Sequence, residues 1–200
     1  MTQKIDYFFG LGSPWAYLGL DAFEALARAQ GAVIEPHVTG LIEENGGIYS
    51  RNRPAARRAY WFTDLKRWAA VRGITLEFSG RENLSPITPA EDLVIAAYLG
   101  GQDWLSLARA FHQAFWGRAE DIGTPEVRAR ITIAAGFDSD ALEAAAKSPD
   151  VAARRAASLD LARSSGVFGL PTYLTGGELF WGQDSLGFLE RHLKGETLIA

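Results

Sequence analysis

The 200-residue chain contains no cysteine. A disulfide framework, a thiolate metal site and thiol redox chemistry by the protein's own side chains are therefore excluded. Any reaction that uses sulfur must use the thiol of another molecule. The histidines His37, His112 and His192 lie far apart and lack the spacing of metal ligands, so we expect no metal site.

Long apolar runs and an excess of positive charge are also missing. No segment approaches the roughly 18 uninterrupted apolar residues that a membrane-spanning helix needs. The first residues lack the basic segment and apolar run of a signal peptide, which makes a cytoplasmic location the default expectation. A formal charge of -4 gives no general attraction to nucleic acid or anionic lipid. We therefore expect neither a nucleic-acid nor a membrane partner.

The hydrophobic content of 48% is enough for one compound domain with a real core. Residues 4–9 form a short segment rich in aromatic and β-branched residues, which predicts a buried strand. Ser13-Pro14 is a typical helix start, because serine can cap and proline has no N–H to leave unpaired. A second strand is predicted at 32–38, which completes a βαβ unit of minimum size.

Helical patterns dominate residues 42–165 and predict five or six helices. Pro86 and Pro89 predict a loop before a helix at about 91–98. Strand patterns return at 172–175 and 178–181 around Gly176-Gly177, and 184–193 predicts a final helix. This order predicts an α/β fold with a thioredoxin-like core at 1–41 and 166–200, interrupted by an all-helical inserted domain at 42–165.

The turn at residues 12–16 is the first candidate site. In a thioredoxin, the corresponding strand-to-helix turn carries two cysteines, and here Ser13 and Ala16 would take their positions. The Ser13 hydroxyl cannot form a disulfide, but it can donate a hydrogen bond to the sulfur of a bound thiol and favour its ionised form. A plain helix N-cap is the alternative interpretation.

The second candidate site is the segment 166–172, just before the hairpin. Proline at the start of a strand has no N–H for the ladder, and a cis Leu170–Pro171 bond would expose the main chain of Leu170 to a ligand. We predict the cis isomer. A common turn is the alternative.

Several motifs together resemble the 2-hydroxychromene-2-carboxylate isomerase family. They are Tyr-Phe-Phe at 7–9, Ser-Pro-Trp-Ala-Tyr-Leu at 13–18, Arg-Pro-Ala-Ala-Arg-Arg-Ala-Tyr at 53–60, Ala-Phe-Trp at 114–116, Gly-Val-Phe-Gly-Leu-Pro-Thr at 166–172 and Gly-Glu-Leu-Phe-Trp-Gly-Gln-Asp at 177–184. That family is DsbA-like and close to kappa-class glutathione transferases. The resemblance extends from Tyr7 to about Leu193.

The resemblance implies a homodimeric enzyme that uses glutathione to interconvert a hydroxychromene carboxylate and an open-chain benzylidenepyruvate in aromatic degradation. Ser13 would support the glutathione thiolate. Contacts to the rest of glutathione would come from Leu170, Pro171, Trp181, Gly182, Gln183 and Asp184. Core packing for Trp181 and simple capping for Asp184 are the alternatives.

Four arginines lie within residues 51–58 of an otherwise acidic chain. Because arginine pairs bidentately with carboxylates, Asn52, Arg53 or Arg57 would hold the substrate carboxylate or the glycyl end of glutathione. A solvated helix start is the alternative.

One loop departs from the family pattern. Family members commonly carry a lysine after the second strand that meets the substrate, whereas residues 41–47 hold Glu43 and Glu44 and no lysine. Two acids there would repel a carboxylate substrate unless they point away. The exact substrate therefore stays open, as does the choice among an isomerase, a kappa-like transferase and a glutathione- or peptide-binding module without turnover.

Overall fold

The computed structural model describes residues 3–198. Four strands and eight α-helices follow one another in that range: β1 (Lys4–Phe9), α1 (Pro14–Ala29), β2 (Val33–Val38), α2 (Ala55–Arg72), α3 (Thr88–Leu99), α4 (Trp104–His112), α5 (Pro125–Ala134), α6 (Ser139–Ala146), α7 (Pro149–Ser164), β3 (Thr172–Thr175), β4 (Glu178–Trp181) and α8 (Leu186–Leu193). The predicted α/β order with a helical insertion is confirmed.

The four strands form one mixed sheet in the order β2-β1-β3-β4. β1 runs parallel to β2 and antiparallel to β3, and Tyr7 lies opposite Pro36 on one side and Tyr173 on the other. The Tyr7 ring stacks on the rings of Phe9 and Tyr173, with centroid distances of 4.6 and 5.4 Å. Phe23 of α1 packs against the rings of Tyr7 and Tyr173, with centroid distances of 4.7 and 4.5 Å, so this aromatic layer joins α1 to the sheet.

The six helices α2–α7 lie between β2 and β3 in sequence, which agrees with the predicted number. α3 is buried over most of its length and packs against α4, α6 and α7. Phe9 of β1, Leu93 of α3 and Phe111 of α4 belong to one apolar cluster. The division into a core at 1–41 and 166–200 and an inserted domain at 42–165 stays a proposal, and its outermost residues lie outside the described range.

The structure corrects the prediction at two helix starts. The helix expected at about 91–98 begins at Thr88, because Pro89 occupies its first turn, where a missing N–H costs nothing. The final helix begins as a short 3₁₀ turn at Gln183–Ser185, and regular α8 follows from Leu186. Within residues 3–198, no helix is long and apolar enough to cross a membrane.

Candidate active site

A cavity of about 500 Å³ lies where the start of α1 meets the segment before β3. Its volume is within the range of small-molecule sites. Ser13 and Leu170 line it, together with the loop after β2 and the start of α2. Six aromatic side chains contribute to its walls: Trp15, Tyr49, Trp61, Trp116, Phe168 and Trp181.

Ser13 is the N-cap of α1, and its hydroxyl has two partners. The oxygen accepts a hydrogen bond from the Ala16 N–H at 3.2 Å, and the hydroxyl donates to the Leu170 carbonyl at 3.0 Å. Capping and a place in the cavity therefore coexist at one residue. No acidic residue occupies the first turn of α1, so the positive end of the helix dipole is available to an anion in the cavity.

The Leu170–Pro171 peptide bond is cis, which confirms the prediction. The Leu170 carbonyl is engaged by Ser13, whereas its N–H has no acceptor in the described part of the chain. Pro171 is buried outside the cavity lining, and its carbonyl accepts from the Gly182 N–H at 2.9 Å. Leu170 can therefore still donate one main-chain hydrogen bond to a ligand.

Trp181 lies at the rim of the cavity with 50% of its surface exposed. Its ring packs against Phe168, with centroids 4.7 Å apart, and lies directly over Gly169. A Cβ at Gly169 would collide with the indole, which explains a glycine at this position. Trp181 therefore presents an exposed aromatic surface to the site and is not a core residue.

The residues that follow Trp181 lie outside the cavity lining. Gln183 is buried, and its side-chain oxygen accepts from Nε and Nη2 of Arg72 at 3.2 and 2.8 Å. Asp184 is exposed and lies beside Gly182, whose φ of 87° favours glycine. Asp184 has an exposed carboxylate, whereas the unpaired amide nitrogen of Gln183 is buried among residues 3–198.

Only part of the arginine-rich segment 51–58 lines the cavity. Arg53 and Arg57 line it, whereas Asn52 is exposed outside the lining. The Arg53 Nε is buried with no hydrogen-bond partner among residues 3–198. Burial, and then the neighbouring Arg57 charge, lower the pKa of Arg53. A bound anion would relieve both effects, which makes this end of the cavity suited to a carboxylate.

The acidic pair in the loop after β2 does not line the cavity. Glu43 and Glu44 are exposed, and the Glu44 carboxylate lies 3.1 Å from Nη2 of Arg163 on α7. The hydrogen bonds that Glu44 accepts, from its own backbone first and then from Arg163, lower its pKa. This loop contributes residues 39–41 and 46–50 to the cavity wall instead. A carboxylate bound in the cavity would therefore have neither acid in the surrounding wall.

Sequence reasoning missed Glu91 of α3. This residue lines the cavity although it is only 8% exposed. Burial raises the pKa of Glu91 to about 7, against the lowering effects of Arg155 and the Leu11 N–H. An acid in the first turn of a helix is ordinary in a sequence, so no local signal distinguished this one.

Comparison with known proteins assigns this chain to a family. The model of the DSBA-like thioredoxin domain matches residues 4–194. A 2-hydroxychromene-2-carboxylate isomerase from Sphingobium xenophagum is 31% identical over 199 residues, which cover 96% of this chain and 99% of that protein. The chain belongs to the 2-hydroxychromene-2-carboxylate isomerase family, within the DSBA-like thioredoxin group.

Solved structures agree with this membership. A 2-hydroxychromene-2-carboxylate isomerase superposes with a TM-score of 0.79 at 26% identity, covering 96% of this chain and 95% of that one. The cytosolic disulfide reductase DsbM from Pseudomonas aeruginosa, solved with glutathione, has a TM-score of 0.69 at 19% identity, covering 96% and 99%. The second likeness concerns the fold alone. The predicted thioredoxin-like fold and the predicted isomerase-family enzyme are both confirmed.

Proposed function

We propose that the chain is a glutathione-dependent isomerase of 2-hydroxychromene-2-carboxylate or a similar aromatic carboxylate. The observation that carries the proposal is the helix start at Ser13. It has a hydroxyl in place of a cysteine, no acid in its first turn, and an aromatic cavity in front of it. As part of the same proposal, the enzyme acts in the cytoplasm as a homodimer.

The residues around the cavity fit glutathione. A thiol placed at the start of α1 would meet the Ser13 hydroxyl and the positive end of the helix dipole, and both favour its ionised form. The unpaired Leu170 N–H would donate to the main chain of the cysteinyl part. The γ-glutamyl end would pass over Trp181 and bring its ammonium to the exposed Asp184. Gln183 would act indirectly, because Arg72 holds its amide oxygen.

When bound, glutathione supplies a thiolate that adds reversibly to the conjugated double bond and leaves after rotation about it. The chain's own part is to hold that sulfur and to exclude water. For Ser13, donating to the sulfur means exchanging its present acceptor, the Leu170 carbonyl, for the ligand. No metal ligand and no redox-active side chain of this chain is needed for such a cycle.

The opposite end of the cavity fits the substrate. Flat aromatic walls, including Trp15, Trp61 and Trp116, suit a bicyclic ring. Arg53 and Arg57 would pair with the carboxylate. Asn52 would contribute from outside the present lining, so we expect its replacement to have the smaller effect.

The test combines glutathione, a hydroxychromene carboxylate and the protein, and follows absorbance together with thiol concentration. Spectral change with the thiol conserved is expected. Consumption of thiol would instead identify a kappa-like transferase, and glutathione binding without turnover would identify a binding module. Calorimetry that detects no glutathione binding at millimolar concentration would contradict the isomerase, the transferase and the glutathione-binding module alike.

The carboxylate contact is tested with Arg53→Gln. We expect KM for the substrate to rise about tenfold with little change in kcat, because one charge-assisted hydrogen bond to the bound carboxylate is lost. Arg58→Gln is the matched control, since Arg58 lies five residues further along, in the first turn of α2, and does not line the cavity. An unchanged KM for Arg53→Gln would remove this residue from the substrate site.

A further inference from the structure

Glu91 is the one carboxylic acid among the cavity-lining residues that the structure describes. It lies in the first turn of α3, in the helical segment between β2 and β3, and 10% of its side chain remains accessible. The aromatic and glycine-rich remainder of the lining offers few groups that could accept and return a proton. Arg53 and Arg57 are guanidinium groups, which keep their protons.

The Glu91 carboxyl is fixed against the segment that connects β1 to α1. Its Oε1 accepts from the Leu11 N–H at 3.1 Å, and the Leu11 carbonyl accepts from Trp116 Nε1 at 3.0 Å. A Cβ at Gly10 would come within 3.2 Å of the same Oε1 and 2.6 Å of the Thr39 carbonyl, so only glycine fits there. The carboxyl is thus held against Gly10 and Leu11, which lie three and two residues before Ser13.

The negative charge of an ionised Glu91 is only weakly balanced by the charged groups around it. Arg155 on α7 approaches Oε2 at 3.4 Å through Nη1, but its Nε and Nη2 bind Asp92 at 3.0 and 2.6 Å. Arg155 and Asp92 are the charged groups that act on this carboxyl in the described part of the chain. A buried carboxyl with so little compensation can lose and regain a proton near neutral pH.

We propose that Glu91 is the proton-transfer group for opening the hydroxychromene ring, an inference that rests on the proposed substrate. The 2-hydroxychromene-2-carboxylate ring is a cyclic hemiketal. Ionised Glu91 takes the proton of the hydroxyl on C2, a C2=O bond forms, and the bond between C2 and the ring oxygen breaks with its electron pair on that oxygen. Protonated Glu91 then gives the proton to the resulting phenoxide. The Glu91 carboxylate is regenerated, and no oxidant or reductant is involved.

Ring opening and double-bond isomerisation are separate steps in this scheme. Rotation about the double bond needs the external thiol, whereas ring opening needs only a base and an acid. We therefore expect the protein without glutathione to speed the exchange between the cyclic form and the cis open-chain form. NMR exchange spectroscopy measures that rate.

The first variant is Glu91→Gln, which keeps an oxygen to accept from Leu11 but cannot titrate. We expect the glutathione-free exchange rate to fall by about a hundredfold, a typical loss for a general acid-base group. In the unchanged protein the rate should fall as pH drops through about 7, because the step needs the carboxylate. This pH dependence should disappear in Glu91→Gln, together with an infrared carboxyl band that titrates in the same range.

Two neighbouring variants move the same pH midpoint in opposite directions. Arg155→Gln removes a positive charge that lowers the pKa of Glu91, so the midpoint should shift to higher pH. Asp92→Asn removes a negative charge that raises it, so the midpoint should shift to lower pH. Arg163→Gln is the matched control on α7, because Arg163 pairs with the exposed Glu44 away from the cavity. If Glu91 had only a structural role, these two variants would not shift the pH midpoint of the exchange rate in opposite directions.

An exchange rate and pH midpoint that Glu91→Gln leaves unchanged would overturn the inference. So would a midpoint that does not respond to Arg155→Gln and Asp92→Asn. Failure of the proposed function has a different signature: absence of glutathione binding leaves the thiol-free exchange measurable. Absence of any accelerated exchange in the unchanged protein would overturn the role of Glu91 while leaving the glutathione result untouched.

Discussion

Helices α1 and α7 begin with the same two residues, serine followed by proline, and only one of these starts opens on a cavity. Ser148 accepts from the Val151 N–H at 3.4 Å and caps α7, as Ser13 caps α1. The α7 start carries Asp150 in its first turn, whereas α1 has no acid there. Ser13 additionally donates to Leu170, 157 residues further along the chain.

The difference gives the physical basis for the chemical role that we propose for Ser13. At α7 the helix supplies its own negative charge, and the serine has only a capping role. At α1 that charge is missing, so a ligand anion can take its place beside the helix dipole. Three predictions test this contrast.

The largest effect is expected from Ser13→Asp. Aspartate is a good N-cap, so the helix should persist. Its carboxylate would oppose a thiolate in the cavity, and at about 4 Å with an effective dielectric near 20 the repulsion is about 4 kcal/mol, so turnover should fall a hundredfold or more. Ser148→Asp should leave the isomerase rate unchanged. Equal rates in the two variants would show that no thiolate forms beside α1.

Ser13→Ala is expected to reduce turnover by at least about tenfold, as for the loss of one activating hydrogen bond to an anion. Steady-state rates at saturating glutathione measure this change. The thiolate absorbance of bound glutathione, followed against pH, should show a higher thiol pKa in the variant. Turnover equal to that of the unchanged protein would remove Ser13 from the mechanism.

The smallest difference between the two starts should be in stability. Ser13→Ala and Ser148→Ala each lose a side-chain cap, and each should lower the free energy of unfolding by about 1 kcal/mol. Chemical denaturation measures both. Only Ser13→Ala should also lower the rate, and a rate loss in Ser148→Ala would mean that stability alone accounts for the effect.

The parts of the fold with strong local signals were predictable from sequence. β1, the start of α1 and the hairpin around Gly176-Gly177 are all fixed by nearby residues, and their bounds agree with expectation. Pro89 was misjudged because proline can begin a helix as well as end one, and the choice depends on where α3 docks.

The site was predictable only in part, for a related reason. Ser13 and Leu170 lie in short sequence motifs that can be recognised from their neighbours. Glu91 lies in no such motif, because its proposed role depends on a contact with Leu11, 80 residues away in sequence. Gln183 lies in the motif that implied a glutathione contact, but its amide oxygen accepts hydrogen bonds from Arg72 of α2. No local sequence pattern could indicate this contact.

The hydrogen bond between Ser13 and Leu170 also has a consequence for biosynthesis. The Leu170 carbonyl is synthesised 157 residues after Ser13. Ser13 can therefore cap its helix well before the carbonyl to which it donates has been made. Until the segment with Leu170 and Trp181 is made, part of the cavity wall is missing, so a ligand that needs the whole cavity can stabilise only a chain that contains this segment.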